Sequence, residues 1–335
     1  YNPKLYEIEG TVRSSSWQVQ LKGGRTETFF AFKGLVKKKR PGQDKYFKAL
    51  FKQAGKKPPL KVKTHGGDTA FLFFMADWQL GKKDYGVENT IKRYDIALQD
   101  AVNRIKELRK AGVMINEIYM IGLGDLTENC YGFYDSQAFN IELTMIEQYA
   151  LARSMIMKTI ETFLPHADKL TLAGVPGNHG EASRSQKGQV VTNRLDNTDT
   201  MHLQICEEIM KANPDRYKKV SVEVPDGFHQ VLEIKGITCG FSHGHMSSGS
   251  GNPENKIENW WKGQMYGFLP AGECKILITG HYHHFRAKQQ GDRTWFQSPS
   301  VDKSLDFTAR TGMWSHPGVL TFTVNKKGWD NLKIL

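Results

Sequence analysis

Five apolar runs along the chain each end in a short polar segment, and those endings share a small alphabet. Phe71–Leu72–Phe73–Phe74–Met75 runs into Ala76–Asp77–Trp78–Gln79, and Ile118–Tyr119–Met120–Ile121 runs into Gly124–Asp125. Leu170–Thr171–Leu172–Ala173 precedes Gly177–Asn178–His179, and Ile237–Thr238–Cys239–Gly240–Phe241 precedes Ser242–His243–Gly244–His245. Lys275–Ile276–Leu277–Ile278–Thr279 precedes Gly280–His281–Tyr282–His283. Short β-prone runs without strict alternation read as strands buried on both faces. Between the first two, Ile91, Tyr94, Leu98, Ala101, Val102, Ile105 and Leu108 recur at helical spacing, and Gly112 suits the helix end. A second helix is expected from about 137 to 163, with Ile141, Met145, Tyr149, Ala152, Ile156 and Ile160 as its buried stripe and Pro165 beyond it. The methionines there read as core. Strand alternating with helix implies an α/β fold with a parallel-rich sheet. Strands that all end in Asp, Asn or His point to one shared site at their C-terminal ends, where open α/β sheets hold ligands.

The second half is expected to be richer in β-structure. A polar stretch from Glu181 to Asp199 reads as a long loop, followed by a helix near Met201–Lys211. Strands are expected at 220–224, 231–234 and 237–241, then a helix carrying Trp260 and Trp261, then strands at 285–289, 294–297 and 319–324. There is no internal repeat.

The first seventy residues follow another pattern. Residues 6–12 and 16–21 alternate as strands do, Gly23–Gly24 suits a hairpin turn, and 28–32 can return as a partner strand. A basic segment follows, in which Tyr46, Phe47, Leu50 and Phe51 recur at near-helical spacing before Pro58–Pro59. Between Lys33 and Lys63 stand twelve basic residues and one acid, Asp44, so this stretch carries the whole formal net charge of +11. Such a cluster suits nucleic-acid phosphates, whose counterions it releases; the alternative is a solvated basic face or a tail docked on the core.

The 335 residues, 39% hydrophobic, suffice for one large core and an appendage. No apolar run approaches the ~20 residues that span a bilayer, so no membrane association is expected. The sequence opens on Tyr1 rather than Met and is read as lacking some N-terminal residues. Cys130, Cys206, Cys239 and Cys274 are widely spaced and form no C-x-x-C pair, which points to a reducing, cytoplasmic setting without a disulfide framework.

The order Asp, Gly-Asp, Gly-Asn-His, His-Gly, Gly-His-x-His resembles the calcineurin-like metallophosphoesterase superfamily, from about Phe71 to the C-terminus. The resemblance implies a four-layer sandwich of two mixed β-sheets flanked by helices at residues 69–335, with residues 1–68 as a small basic N-terminal appendage. It also implies two divalent metal ions. Carboxylates, imidazoles and an amide oxygen suit Mn²⁺, with Fe, Zn²⁺ or Mg²⁺ as alternatives. By resemblance Asp77 and His283 hold the first ion, Asp125 bridges both, and Asn178, His243 and His281 hold the second. His179 is the catalytic residue, acting on the leaving oxygen or the charged phosphorus centre.

The first motif departs from the pattern. Many members, including the SbcD-like DNA repair nucleases, have His where this chain has Gln79, whose amide oxygen is a weaker donor. Other members take a ligand from three residues past the bridging Asp, the place of Glu128, so either residue is a candidate for the first ion; Glu128 as an exposed loop carboxylate is the alternative. His245 and His284 read as facing substrate or supporting the ligands. His65, His166, His202, His229 and His316 carry no motif. Arg184 and Lys187 are candidate phosphate contacts, with a solvated loop as the alternative.

Ala76–Asp77–Trp78–Gln79–Leu80–Gly81–Lys82 is similar to the opening motif of SbcD-like nucleases, and Trp295–Ser300 to their later Gly-Ser-Pro segment. With the basic segment 33–63 this favours DNA phosphodiester cleavage, with nucleic acid as partner, and implies a homodimer or an SbcC-like ATPase partner. Two alternatives stay open: a phosphodiesterase or phosphatase acting on small nucleotides or phosphoproteins, and a nucleic-acid-binding module whose site has decayed.

Overall fold

The computed structural model describes residues 6–21, 23–38, 52, 54–60, 64–130, 132–134, 136–181, 196–247, 251–303, 305, 308–309, 312 and 314–335. The chain forms two compact units, Tyr1–Lys48 and Ala49–Leu335.

The smaller unit is a long antiparallel hairpin of β1 (Tyr6–Gln20) and β2 (Thr26–Lys38). The two strands expected at 6–12 and 16–21 are one continuous strand, with a register shift between Glu9 and Arg13. Gly23 and Gly24 make the turn with φ of 100° and 79°, values that favour glycine. Trp17 stacks on Phe29 across the strands, while Phe30 and Phe32 stay 62% and 72% exposed. Tyr46, Phe47, Leu50 and Phe51, the expected basic-segment helix, lie outside the described residues.

In chain order the larger unit contains β3 (Thr69–Met75), α1 (Val87–Lys110), β4 (Ile115–Gly122), α2 (Met145–Phe163), β5 (Lys169–Gly174), α3 (Thr198–Lys211) and the single turn α4 (Pro214–Tyr217). Then come β6 (Val220–Glu223), β7 (His229–Ile234), β8 (Ile237–Ser242), α5 (Pro253–Tyr266), β9 (Ile276–Thr279), β10 (Arg286–Gln290), β11 (Arg293–Gln297), β12 (Leu320–Asn325) and β13 (Gly328–Ile334). One sheet has the order β13-β12-β3-β4-β5-β6, parallel from β3 to β6. The other has the order β10-β11-β9-β8-β7, parallel across β11, β9 and β8.

The apolar runs explain the layers. Phe71, Phe73 and Met75 face α1 and α2, packing with Tyr94, Leu98, Ile105, Ile156, Ile160 and Phe163. Their neighbours Ala70, Leu72 and Phe74 point the other way, into the core between the sheets with Phe241, Ile278, Phe296 and Phe322. A strand buried on both faces has no polar side to show, which is why its sequence does not alternate. On the far side of the second sheet, Ile257 and Trp261 of α5 cover Leu277 and Trp295. The result is the expected α/β sandwich of two mixed sheets flanked by helices.

One helix starts later than its apolar spacing suggests. Residues 137–139 form a separate 3-10 turn, and α2 begins at Met145. Thr144 is its cap, with Glu147 Oε2 accepting the Thr144 N–H at 2.9 Å. A local cap overrode the hydrophobic stripe, and Ile141 lies outside the helix.

Residues 54–60, read from sequence as part of the N-terminal appendage, lie against the helical layer of the larger unit. Ala54 is buried, Asn213 Nδ2 donates to the carbonyls of Ala54 and Lys57 at 2.8 and 2.9 Å, and Arg216 donates to Pro58 O at 2.6 Å. Lys57 pairs with Glu161 at 3.1 Å. Among the described residues all cysteines are free, and no helix is long and apolar enough to cross a membrane.

Candidate metal centre

The loops after β3, β4, β5, β8 and β9 meet at one end of the two sheets. Five residues proposed as ligands have left-handed backbones: Asp77 (φ 48°), Gln79 (43°), Asp125 (54°), His281 (71°) and His283 (57°). This conformation costs a non-glycine residue on the order of 1–3 kcal/mol. Its concentration at these strand ends marks a place where side-chain direction is held at the expense of stability. Two glycines make room. A Cβ on Gly177 would lie 2.1 Å from Asp125 Oδ1, and one on Gly280 would lie 2.8 Å from Asp77 Oδ2.

Asp125, His243 and His281 present one ligand atom each, all within 4.8 Å of one another. His243 Nε2 lies 3.0 Å from Asp125 Oδ2, 3.1 Å from Asn178 Oδ1 and 3.2 Å from His281 Nδ1. The other ring nitrogen, Nδ1, donates to Leu123 O at 2.6 Å. That bond fixes the ring so that Nε2 faces the cluster, the arrangement that outer hydrogen bonds impose on metal-binding histidines. The structure thus gathers the four residues expected around the second ion. One carboxylate, one amide oxygen and two imidazoles fit a borderline divalent ion such as Mn²⁺, Fe²⁺ or Zn²⁺.

The electrostatics agree. His243 is fully buried, which works against its charge, yet Asp125 and Asp77 raise its imidazole to about 9. Asp125 is also buried, and His243, His179 and His281 together hold its carboxyl well below the usual carboxylate range. Burial and the neighbouring His243 lower His281 to about 2, so it stays a neutral donor. Carboxylates that draw a proton onto a buried imidazole would equally stabilise a divalent cation.

The Asp77 side is less complete. His283 Nε2 is 3.3 Å from Asp77 Oδ1, and both Asp77 oxygens accept from the His281 N–H at 3.2 and 3.1 Å. The Gln79 amide oxygen accepts from Lys82 Nζ at 3.1 Å. Glu128 is buried beside His179 rather than exposed on a loop. His179 Nδ1 is 2.9 Å from Glu128 O and 3.4 Å from Glu128 Oε2, and its ring stacks on Phe133 at 4.3 Å. Tyr134 donates to Glu128 Oε1 at 2.7 Å. Burial raises the Glu128 carboxyl, against the pull of His179 and Lys82. The His179 N–H donates to Asp125 Oδ1 at 2.7 Å, which ties the proposed proton donor to the proposed bridging ligand.

His245 lies within ring distance of His243 and His281, at 5.3 and 6.2 Å, while His284 Nδ1 is 2.8 Å from Tyr282 O. Arg184 and Lys187 lie outside the described residues.

Asp199 is a residue that sequence reasoning placed at the end of a loop. It is buried in the first turn of α3 and accepts three backbone N–H groups: Asp125 and Gly177 on Oδ2 at 3.0 and 2.9 Å, and Leu126 on Oδ1 at 3.1 Å. It therefore clamps the loops after β4 and β5 together. Burial first, and Asp125 second, raise its carboxyl to about 6. Asn197 caps the helix by accepting from Asp199 N at 2.9 Å and donates to Gly177 O at 2.8 Å. Asn197–Thr198–Asp199 before an apolar-periodic run is a helix-start signature, and that signal could have found the clamp.

No protein-family model and no curated protein matches this sequence. Solved structures similar to it include a predicted phosphoesterase from Streptococcus pneumoniae, with 12% identity over 80% of this chain and 89% of that one and a TM-score of 0.33. Another is an archaeal phosphodiesterase, 12% identical over 79% of this chain and 99% of that one, TM-score 0.34. A third is Vacuolar Protein Sorting 29 from Cryptosporidium parvum, 12% identical over 80% and 97%, TM-score 0.33.

Proposed function

We propose that this protein is a metal-dependent phosphoesterase of the calcineurin-like kind, cleaving phosphodiester bonds, with DNA as its substrate. The observation that carries the enzymatic part is the convergence of Asp125, Asn178, His243 and His281 on one small volume, with His179 held beside it by Asp125 and Glu128. When bound there, divalent ions would neutralise phosphate charge and polarise the scissile bond. The chain's own residues supply the rest. Asp125 positions His179 through the backbone N–H, and Glu128 orients its ring through Nδ1. The opposite nitrogen, Nε2, is then the atom to hand a proton to the leaving oxygen. Activity on a chromogenic phosphodiester that persists in excess chelator would refute this reading.

The DNA part rests on charge and on the hairpin. Arg13 and Lys33 pair across the strands, both exposed. Like charges placed opposite each other are unfavourable unless an anion lies against them. Stacked Trp17–Phe29 and exposed Phe30 and Phe32 offer faces to unpaired bases. A homodimer or an SbcC-like ATPase partner belongs to the same reading. The test is a chain cut after Lys48, which spares the docked residues 54–60. It should still cleave a small chromogenic diester, and its log affinity for DNA should depend less on log salt, by about 0.9 for each phosphate that the hairpin unit had neutralised. An unchanged salt slope would place the DNA-binding surface elsewhere.

A further inference from the structure

Lys82 closes the turn that carries Asp77 and Gln79, its N–H donating to Gln79 O at 3.2 Å. Its side chain folds back into that turn. Nζ donates to Gln79 Oε1 at 3.1 Å and to Asp302 Oδ2 at 2.8 Å. The pair is enclosed, with side chains 13% and 2% exposed. Asp302 is itself anchored: its N–H donates to Ser300 Oγ at 2.9 Å, and Ser300 Oγ donates to Asp77 O at 2.7 Å. A fixed ammonium is thus tied into the loops that would hold the first ion.

We propose that Lys82 acts as a built-in cation on the Asp77 side: it draws the Gln79 amide oxygen out of the ligand set and weakens binding there, so that one divalent ion is held tightly, at Asp125, Asn178, His243 and His281, and a second only weakly. The proposal rests on the metallophosphoesterase reading above. An amide oxygen is already a poorer donor than the imidazole it replaces. An ion bound to that same oxygen would stand within a few ångströms of the ammonium, and like charges in an enclosed site repel strongly. Gln79 aside, the Asp77 side keeps Asp77, His283, a Glu128 carboxylate already engaged by Tyr134 and His179, and a bridging Asp125 whose Oδ1 already accepts the His179 N–H.

The test uses the full chain titrated with Mn²⁺, reading metal retained after gel filtration and the electron paramagnetic resonance spectrum. An isolated ion and an exchange-coupled pair give different spectra. The parent should retain one ion with an isolated-ion spectrum. Gln79→His with Lys82→Met should retain two with a coupled spectrum, and Lys82→Met alone should tighten the second uptake by about tenfold or more. Because Lys82→Met removes the ammonium that donates to Asp302 Oδ2, Lys82→Met with Asp302→Asn is made in parallel, and tightening in either variant supports the proposal. A parent that binds two ions stoichiometrically with a coupled spectrum overturns it. So does a weak second uptake unchanged in every folded variant. A parent that retains no ion, and binds no more Mn²⁺ than its His243→Ala variant, overturns the metallophosphoesterase reading itself and this proposal with it.

Discussion

The ends of β3, β4 and β5 in the six-stranded sheet carry Asp77, Asp125 and Asn178, whereas the ends of β8 and β9 in the five-stranded sheet carry His243, His281 and His283. One sheet contributes the candidate oxygen donors and both candidate carboxylates, and the other contributes the candidate nitrogen donors. The candidate centre draws on both halves. A pair of carboxylates without imidazoles would favour hard cations, and the imidazoles shift the preference of the combined set toward borderline ions. The donors meet because Leu72, Phe74, Ile121, Phe241, Ile278 and Phe296 pack between the sheets and set their spacing. The site is therefore a sensitive measure of how well the two sheets are docked. Its oxygen side is braced through Asp199, Ser300 and the His179 N–H.

The largest effect expected comes from removing one donor on each side. Asp125→Asn and His243→Ala should each cost more than the ~100-fold in metal affinity or activity that loss of an outer partner costs. Metal content and diester turnover measured together check this. Normal metal retention in His243→Ala would mean that His243 is not a ligand there.

His179→Ala should lower the rate by ~10²–10⁴ while metal content stays near the parent's. The loss should shrink for a nitrophenolate leaving group, which needs little protonation. Loss of metal along with rate would move His179 into the ligand set.

Asp199→Ala tests the bracing on the oxygen side. It strips three buried N–H groups of their acceptor, at about 1–3 kcal/mol for each group left unpaired. A clear fall in the urea midpoint should come with weaker metal binding, because the Asp125 loop loses its clamp. A stability change with unaltered metal affinity would show that the loops hold their shape without Asp199.

The smallest effect concerns the helical cover of the same sheet. His202 of α3 is fully buried against Tyr149, with neither ring nitrogen hydrogen-bonded among the described residues. Burial, helped by Arg153, lowers its imidazole to about 3. Between about 6.5 and about 3 the unfolded chain takes up a proton that the folded chain refuses, so stability is lost as the pH is lowered through that window, by up to roughly 1.4 kcal/mol per pH unit. In His202→Leu that part of the acid slope should disappear. An unchanged slope would assign the acid sensitivity to other groups.

Much of the fold, and the gathering of the candidate site residues at one end of it, is legible in the sequence. Apolar runs ending in Asp, Asn or His predict the strands, and the strand-helix alternation predicts a sheet with its ligands at one end. Both are local consequences of burial on two faces and of short polar turns, which sequence records directly. The start of α2 departs from its apolar spacing because a cap at Thr144 outweighs the stripe that runs through Ile141.

The chain by itself determined which residue types stand at the strand ends, because each strand and its turn are written within a dozen contiguous residues. Tertiary structure alone decided their partners. Asp302 reaches Lys82 from 220 positions away, Asp199 reaches Asp125 from 74, and Glu128 turns inward to His179 rather than outward to solvent. These pairings depend on how two sheets and their loops pack, and no local pattern encodes a contact between residues that far apart.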